Sequence, residues 1–195
     1  MADILVLAAH PQMEHSRVTA RLMRRAALAG PQVAVRDLYA LYPDYWLDRA
    51  AEQAALAAAR RIVWLHPIHW YGMPPLMKLW LDEVFAFGWA YGPGGRALLG
   101  KQLWLVASTG GPADSYRPDG YNRHAFDAFL PPYTQTAALT GLQWRPPLLL
   151  HGAHRAAEAE LQAHEDRFAA LLLSDDGAAS TSPVITVPPD ARPQD

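Results

Sequence analysis

A chain of 195 residues, 51% of them hydrophobic, is long enough to bury one substantial core and short for two. Its 17 basic and 19 acidic side chains leave a formal charge of −2, which gives no field to hold nucleic acid or an anionic membrane surface. The lack of cysteine removes disulfides, thiolate nucleophiles and Cys-ligated zinc together, and no apolar run approaches the roughly 20 residues that span a bilayer, so a soluble, cytoplasmic protein is expected.

Met1 leads straight into residues 3–9 (DILVLAA), an unbroken apolar run closed by His10-Pro11, which leaves no room for a signal peptide and predicts a strand covered on both faces. Ser16 is placed to cap a helix from Arg17 to about Leu28, with Val18, Leu22 and Ala26 on one face and Gly30-Pro31 ending it. Residues 32–38 (QVAVRDL) alternate as a second strand, and residues 39–44 read as an aromatic loop. An Ala-rich, acid-led helix over 48–60 returns the chain to a third strand at 61–65. The aromatic loop 66–73 follows, and Pro74-Pro75 opens a helix to Phe85 whose Leu76, Leu79, Trp80 and Val84 recur at helical spacing. Residues 87–100 (FGWAYGPGGRALLG) are too rich in glycine and aromatics for regular structure. Residues 102–108 (QLWLVAS) make a fourth strand ending in Thr109-Gly110-Gly111, and the polar stretch 114–123 reads as a site wall or lid.

A proline-broken helix is expected over 124–130 and 132–140, ended by Gly141. Pro146-Pro147 keeps the first half of residues 142–150 out of a central strand and allows a fifth strand from Leu148, or an edge strand. A last helix over 155–173 closes a single domain over 1–174. The Asp, Gly, Ser and Pro of 175–195 predict a disordered tail, with a strap across a partner subunit as the alternative. Five strands alternating with helices imply a flavodoxin-like, doubly wound five-stranded parallel sheet with helices on both faces.

Two nucleotide signatures fail on context. Residues 95–102 (GRALLGKQ) fall one residue short of a phosphate-binding P-loop and run into a strand; residues 92–97 (GPGGRA) follow a helix and open none, so a phosphate would find no helix N-terminus. His66 and His69 stand three apart without a carboxylate in their loop, which favours a packed His66 and a hydrogen-bonding His69 over a metal pair. Ser108 ends a strand but lacks the glycine pattern and following helix of a nucleophile elbow. Combination carries more. Three strand-end loops, starting at His10, Pro67 and Ser108, converge on one edge of such a sheet. The first brings His10, Ser16 and Thr19 to a helix N-terminus suited to phosphate, the second an aromatic floor, the third small residues with free amides. A flat, phosphorylated heterocycle suits all three.

The order AHP…S…L near the start, then HPIHWYGMPPLMKLWLDEVF, GWAYG, GK and STGG, closely resembles the flavodoxin-fold NAD(P)H:quinone oxidoreductases, and among them the ancillary oxidoreductases of bacterial glutathione-regulated potassium-efflux systems. The resemblance spans residues 3–173. It implies a homodimer with one flavin per subunit, FMN in preference to FAD, and two-electron ping-pong transfer of hydride from NADH or NADPH to a quinone. It places His10, Ser16, Arg17, Val18 and Thr19 at the flavin phosphate, with Thr19 where the family often has Asn. Pro67, Ile68, His69, Trp70 and Tyr71 fall along the ring, with His69 in place of the usual Gln, and Ser108, Thr109, Gly110 and Gly111 at the pyrimidine side. Tyr116 matches an active-site tyrosine of the animal quinone reductases. The histidine that partners it there would fall near Asn122, which leaves His124 close by as a second candidate proton donor. The resemblance also implies an alternative role, regulation of a membrane potassium-efflux transporter from the cytoplasmic side, with reductase activity secondary.

Overall fold

The computed structural model describes residues 2–174, so the tail expectation for 175–195 lies outside the described residues. Five parallel strands, β1 (Ile4–Ala8), β2 (Val33–Asp37), β3 (Arg61–Pro67), β4 (Gln102–Ser108) and β5 (Gln143–Leu150), lie in the order β2-β1-β3-β4-β5. The expected flavodoxin-like architecture is present. Side chains alternate between two cores, as a period of two requires. Leu5, Leu7, Ile62, Trp64, Leu103 and Leu105 pack under α3 (Arg49–Ala58), α4 (Pro75–Val84) and α5 (Pro131–Thr140). Ile4, Val6, Ala8, Val63, Leu65, Trp104 and Val106 pack under α1 (Thr19–Ala27) and α6 (Glu158–Leu173).

The differences from the sequence expectation have local causes. Residues of the aromatic loop at 39–44 contribute to a four-residue helix, α2 (Leu38–Leu41), because the Asp37 carboxylate accepts from Ala40 N at 3.3 Å. The proline-broken helix is a 3-10 turn at Phe126–Phe129 followed by α5, which Gly141 ends in the left-handed conformation at φ 70°. α6 starts at Glu158, since Gly152–Ala156 is a turn held by Ala156 N on Gly152 O at 3.1 Å. α1 starts at Thr19 and Ser16 is not its formal cap, although its Oγ accepts from Ala20 N at 3.1 Å.

The prolines sit where their missing N–H costs least. β1 pairs with β3 only as far as Leu65, so Pro67 lies beyond that ladder, while Ile68 N bonds back to Ser108 O at 2.8 Å. Pro146 and Pro147 lie on the edge strand β5, where the register with β4 slips between Trp104 and Val106.

His66 is fully buried, with its ring stacked 5.9 Å from Tyr133 and its Nδ1 2.9 Å from Pro67 O. It is the packed residue the sequence implied. Burial drives its pKa from 6.5 to about 4, so the unfolded chain takes up a proton that the folded one refuses until far lower pH. The resulting stability is full above pH 6.5 and is lost as pH falls toward 4, up to about 3 kcal/mol in all. A His66→Phe variant keeps a ring against Tyr133 and has nothing to titrate. Urea unfolding between pH 6.5 and 4 is expected to show a shallower loss for the variant; parallel curves would remove His66 as the cause.

Candidate functional site

The register sets the carboxyl ends of β1, β3, β4 and β5 along one edge, with Ala8 opposite Leu65, Pro67 opposite Ser108 and Ser108 opposite Leu150. The loops that follow these strands form two adjoining clefts. His10, His15, Ser16, Arg17, Val18, Pro67, Ile68, His69, Ser108, Thr109, Gly110, Ala153 and His154 line the first, a cleft of about 110 Å³. Ile68, Trp70, Tyr71, Gly110, Gly111, Tyr116, Tyr121 and Asn122 line the second. Ile68 and Gly110 belong to both, so the two are continuous. Of the residues singled out from the sequence, Thr19 and His124 line neither. Thr19 is buried at the start of α1, and His124 is exposed against the edge of Phe129, ring to ring 6.0 Å.

The first cleft offers hydrogen-bond donors. Among the described residues, the amides of Arg17, Val18, Gly110 and Gly111 find no acceptor within the protein. Loop amides elsewhere are committed: Ile68 N to Ser108 O at 2.8 Å, His69 N to Gly72 O at 3.1 Å and Thr109 N to Leu150 O at 2.9 Å. The uncommitted amides of the two ring-side loops are those of Trp70 and Tyr71 in one and of the two glycines in the other. The Arg17 side chain turns away from the amides it accompanies; its guanidinium donates to Ala153 O at 2.9 Å, His154 O at 3.0 Å and Ala156 O at 2.8 Å. It ties the loop after β1 to the loop after β5.

His10 and His69 meet edge to face across this cleft at 6.3 Å. Burial lowers the pKa of each, and for His10 the neighbouring His69 lowers it further, so both imidazoles are neutral at pH 7. His10 Nδ1 accepts from Gln12 N at 3.1 Å, which places the proton of the neutral ring on Nε2.

The second cleft is aromatic and its floor is strained. His69 and Gly72 exchange both backbone hydrogen bonds, so Trp70 (φ 47°) and Tyr71 (φ 66°) occupy a tight turn in the left-handed region, which costs bulky residues about 1–2 kcal/mol each. The turn leaves Trp70 93% exposed at the cleft. Tyr71 stacks on Phe129 at 4.8 Å and its hydroxyl reaches Asn122 Oδ1 at 3.3 Å. Gly111 lies under this wall, where a Cβ would stand 2.6 Å from the Tyr121 hydroxyl and 2.8 Å from Ser115 Oγ.

The loop after β5 was not foreseen in the site. Its Ala153 and His154 line the first cleft, and its amides bond the third loop, Gly152 N to Gly111 O at 2.8 Å and Ala153 N to Thr109 O at 2.9 Å. The signal was present in the sequence HGAH directly after the last strand, on the edge where every parallel strand of such a sheet delivers its loop.

Comparison with known proteins agrees with this fold. The family model for the flavodoxin-like fold matches residues 2–172. The glutathione-regulated potassium-efflux system ancillary protein KefF of Citrobacter koseri is 44% identical over 88% of this chain and 96% of its own. General stress protein 14 of Treponema denticola, solved in complex with FMN, superposes with a TM-score of 0.83 at 36% identity over 87% of this chain and 97% of its own. A candidate quinone reductase from Klebsiella pneumoniae superposes with a TM-score of 0.74 at 25% identity, over 88% and 84% of the two chains. With a matching model over nearly all its described length and relatives this similar, the chain belongs to the flavodoxin-like fold family.

Proposed function

We propose that the protein is a cytoplasmic, homodimeric, FMN-dependent oxidoreductase that passes two electrons from NADH or NADPH to a quinone. The observation that carries this reading is the continuity of a donor-lined cleft with an aromatic one. The residues present fit FMN. A phosphate ester needs several donors at one point, and the Arg17 and Val18 amides at the start of α1, with the Ser16 hydroxyl, provide them. A flat ring needs an edge of backbone donors and an apolar face, which Gly110, Gly111 and the Trp70 amide offer beside Ile68 and Trp70. FMN, once bound, supplies the hydride and electron chemistry.

The protein's own share is binding, orientation and proton supply. The amides at Gly110 and Gly111 stabilise negative charge that develops beside them, and they are held in place by the β5 loop rather than by the ligand. His69 is neutral and so gives up or takes a hydrogen bond at the cleft without adding charge. Tyr116, on the wall of the second cleft, is the phenol positioned to protonate an acceptor there. The Trp70 ring, exposed and held by a strained turn, presents an aromatic face to a flat acceptor.

The direct test is to release and identify the bound flavin, and then to follow NADH and NADPH oxidation with a quinone, for which parallel double-reciprocal lines are expected. A purified protein that is colourless, takes up no added flavin and leaves the nicotinamide unoxidised with every quinone would defeat the reading. The 44% identity to KefF favours a second role beside the first, in which the protein also activates a membrane potassium-efflux transporter. Among the described residues no helix is long and apolar enough to cross a membrane, so that role would act on a partner's surface. Unchanged potassium efflux on deleting this protein would sink it.

A further inference from the structure

The first cleft has donors for an anion but little charge to neutralise one. The arginine that lines it, Arg17, commits its guanidinium to the carbonyls of Ala153, His154 and Ala156. Among the described residues no carboxylate lines the cleft, so the rest of its titratable lining is four imidazoles, those of His10, His15, His69 and His154. Geometry separates them. His15 and His154 are exposed, and His15 lies 3.8 Å from the Glu14 carboxylate. His10 and His69 are half-buried and meet edge to face at 6.3 Å. His10 Nδ1 accepts from Gln12 N at 3.1 Å, so a second proton on that ring would break a hydrogen bond already made. His69 is not held in this way: its backbone is bonded to Gly72, which leaves its ring beside His10 at the cleft. The charged and titratable groups around the pair are Glu14 and Asp37, whose carboxylates act on His10, the Arg17 guanidinium, the two exposed imidazoles, and the buried His66, whose pKa of about 4 keeps it neutral.

We propose that His69 takes up one proton from solvent when a phosphate monoester enters the first cleft, so that the site favours a phosphorylated flavin by becoming cationic only in its presence. The proposal rests on the FMN reading above. A phosphate monoester carries close to two negative charges at neutral pH, with a second pKa near 6. The Arg17 and Val18 amides and the Ser16 hydroxyl give such a group hydrogen bonds but no whole charge. In a cleft of about 110 Å³ any bound anion lies close to both rings. An opposite charge within about 4–6 Å strengthens proton binding by an imidazole about 10- to 1000-fold. Burial holds the His69 pKa below 6.5 without the anion, so binding carries the ring through neutral pH: one N–H bond forms, and the proton comes from water. The pKa is higher in the complex than in the free protein. The gain in affinity is therefore full below the free value and is lost as pH rises through the value in the complex. A second proton, on His10, is opposed by the first across 6.3 Å and by the Gln12 bond, so uptake stops at one. Riboflavin has no phosphate and gives His69 nothing to pair with.

The test titrates the full-length protein, stripped of flavin and kept in phosphate-free buffers, with FMN and with riboflavin. His69→Gln keeps a hydrogen-bond donor but cannot be protonated, and His154→Gln serves as the comparison. Calorimetry at pH 7 in buffers of different ionisation heat is expected to show wild type taking up about 0.5–1 proton per FMN, with close to none for His69→Gln or for riboflavin. Between pH 6.5 and 8.5, where free FMN is mostly dianionic, fluorescence titration should show FMN affinity falling about 5- to 10-fold in wild type and changing less than about 2-fold in His69→Gln. At pH 8.5 the two proteins should bind FMN within about 3-fold of each other, which separates a lost proton from a damaged fold. Nitrogen-15 NMR at pH 7 should find both ring nitrogens of His69 protonated with FMN bound and one with riboflavin bound. An unchanged slope in His69→Gln, no proton uptake by wild type, or loss of the slope in His154→Gln in place of His69→Gln would each overturn the assignment. A protein that binds neither flavin overturns instead the reading on which it rests.

Discussion

Replacing Glu52 by alanine is expected to remove about 3–5 kcal/mol of stability, because it strips the acceptor from a buried polar cluster that joins four elements. Glu52 on α3 is fully buried. Its Oε1 accepts from Arg36 Nε on β2 at 2.9 Å and from the Tyr42 hydroxyl after α2, and its Oε2 accepts from Trp80 Nε1 on α4 at 2.9 Å. Truncation leaves a guanidinium, a phenol and an indole N–H without this partner, two of them on buried residues. For a domain of this size, each kcal/mol shifts the melting point by about 2–4 °C, so thermal unfolding followed by circular dichroism should begin roughly 6–20 °C lower. Glu52→Gln keeps one acceptor oxygen and is expected to fall between. A loss below about 1 kcal/mol for the alanine variant would show that the cluster is solvated in solution.

The cluster also marks where sequence reading stops. Strand and helix periods were plain in runs such as ILVLA and LWLVAS, because burial on both faces of a parallel strand leaves no polar interruption. The edge on which the loops gather followed from parallel topology, and so did the residues of the first three loops. Nothing in an Ala-rich helix announces that Glu52 is its buried member, since that depends on Arg36, Tyr42 and Trp80 arriving from distant parts of the chain. The same holds for His151, which reaches Thr109 and the Tyr116 ring from 42 and 35 positions away. His124, close to Asn122 where the resemblance puts the histidine partner of Tyr116, lies outside both clefts, because the chain turns at Arg123 (φ 59°) and at the 3-10 turn Phe126–Phe129.

The second large effect is expected at Arg17, where a change of side chain should damage binding more than folding. Its guanidinium makes three hydrogen bonds to the carbonyls of Ala153, His154 and Ala156, each strengthened by the charge, and is exposed to solvent, which weakens them. A net loss of about 2 kcal/mol for Arg17→Ala corresponds to a roughly 30-fold rise in the FMN dissociation constant. The melting point should drop by less than about 4 °C, since exposed charged contacts contribute about 1 kcal/mol or less to folding and the β5 loop keeps its backbone bonds to Thr109 and Gly111. Lysine has one ammonium where three carbonyls are spread along a turn, so Arg17→Lys should recover only part of the affinity. Riboflavin separates two roles for this residue. If the side chain only steadies the amides of Arg17 and Val18 around a phosphate, fluorescence titration should show the loss with FMN and almost none with riboflavin. If it also shapes the ring side through the Thr109 and Gly111 contacts, both ligands should weaken together. Unchanged FMN affinity in Arg17→Ala would remove the loop clamp from the account of the site.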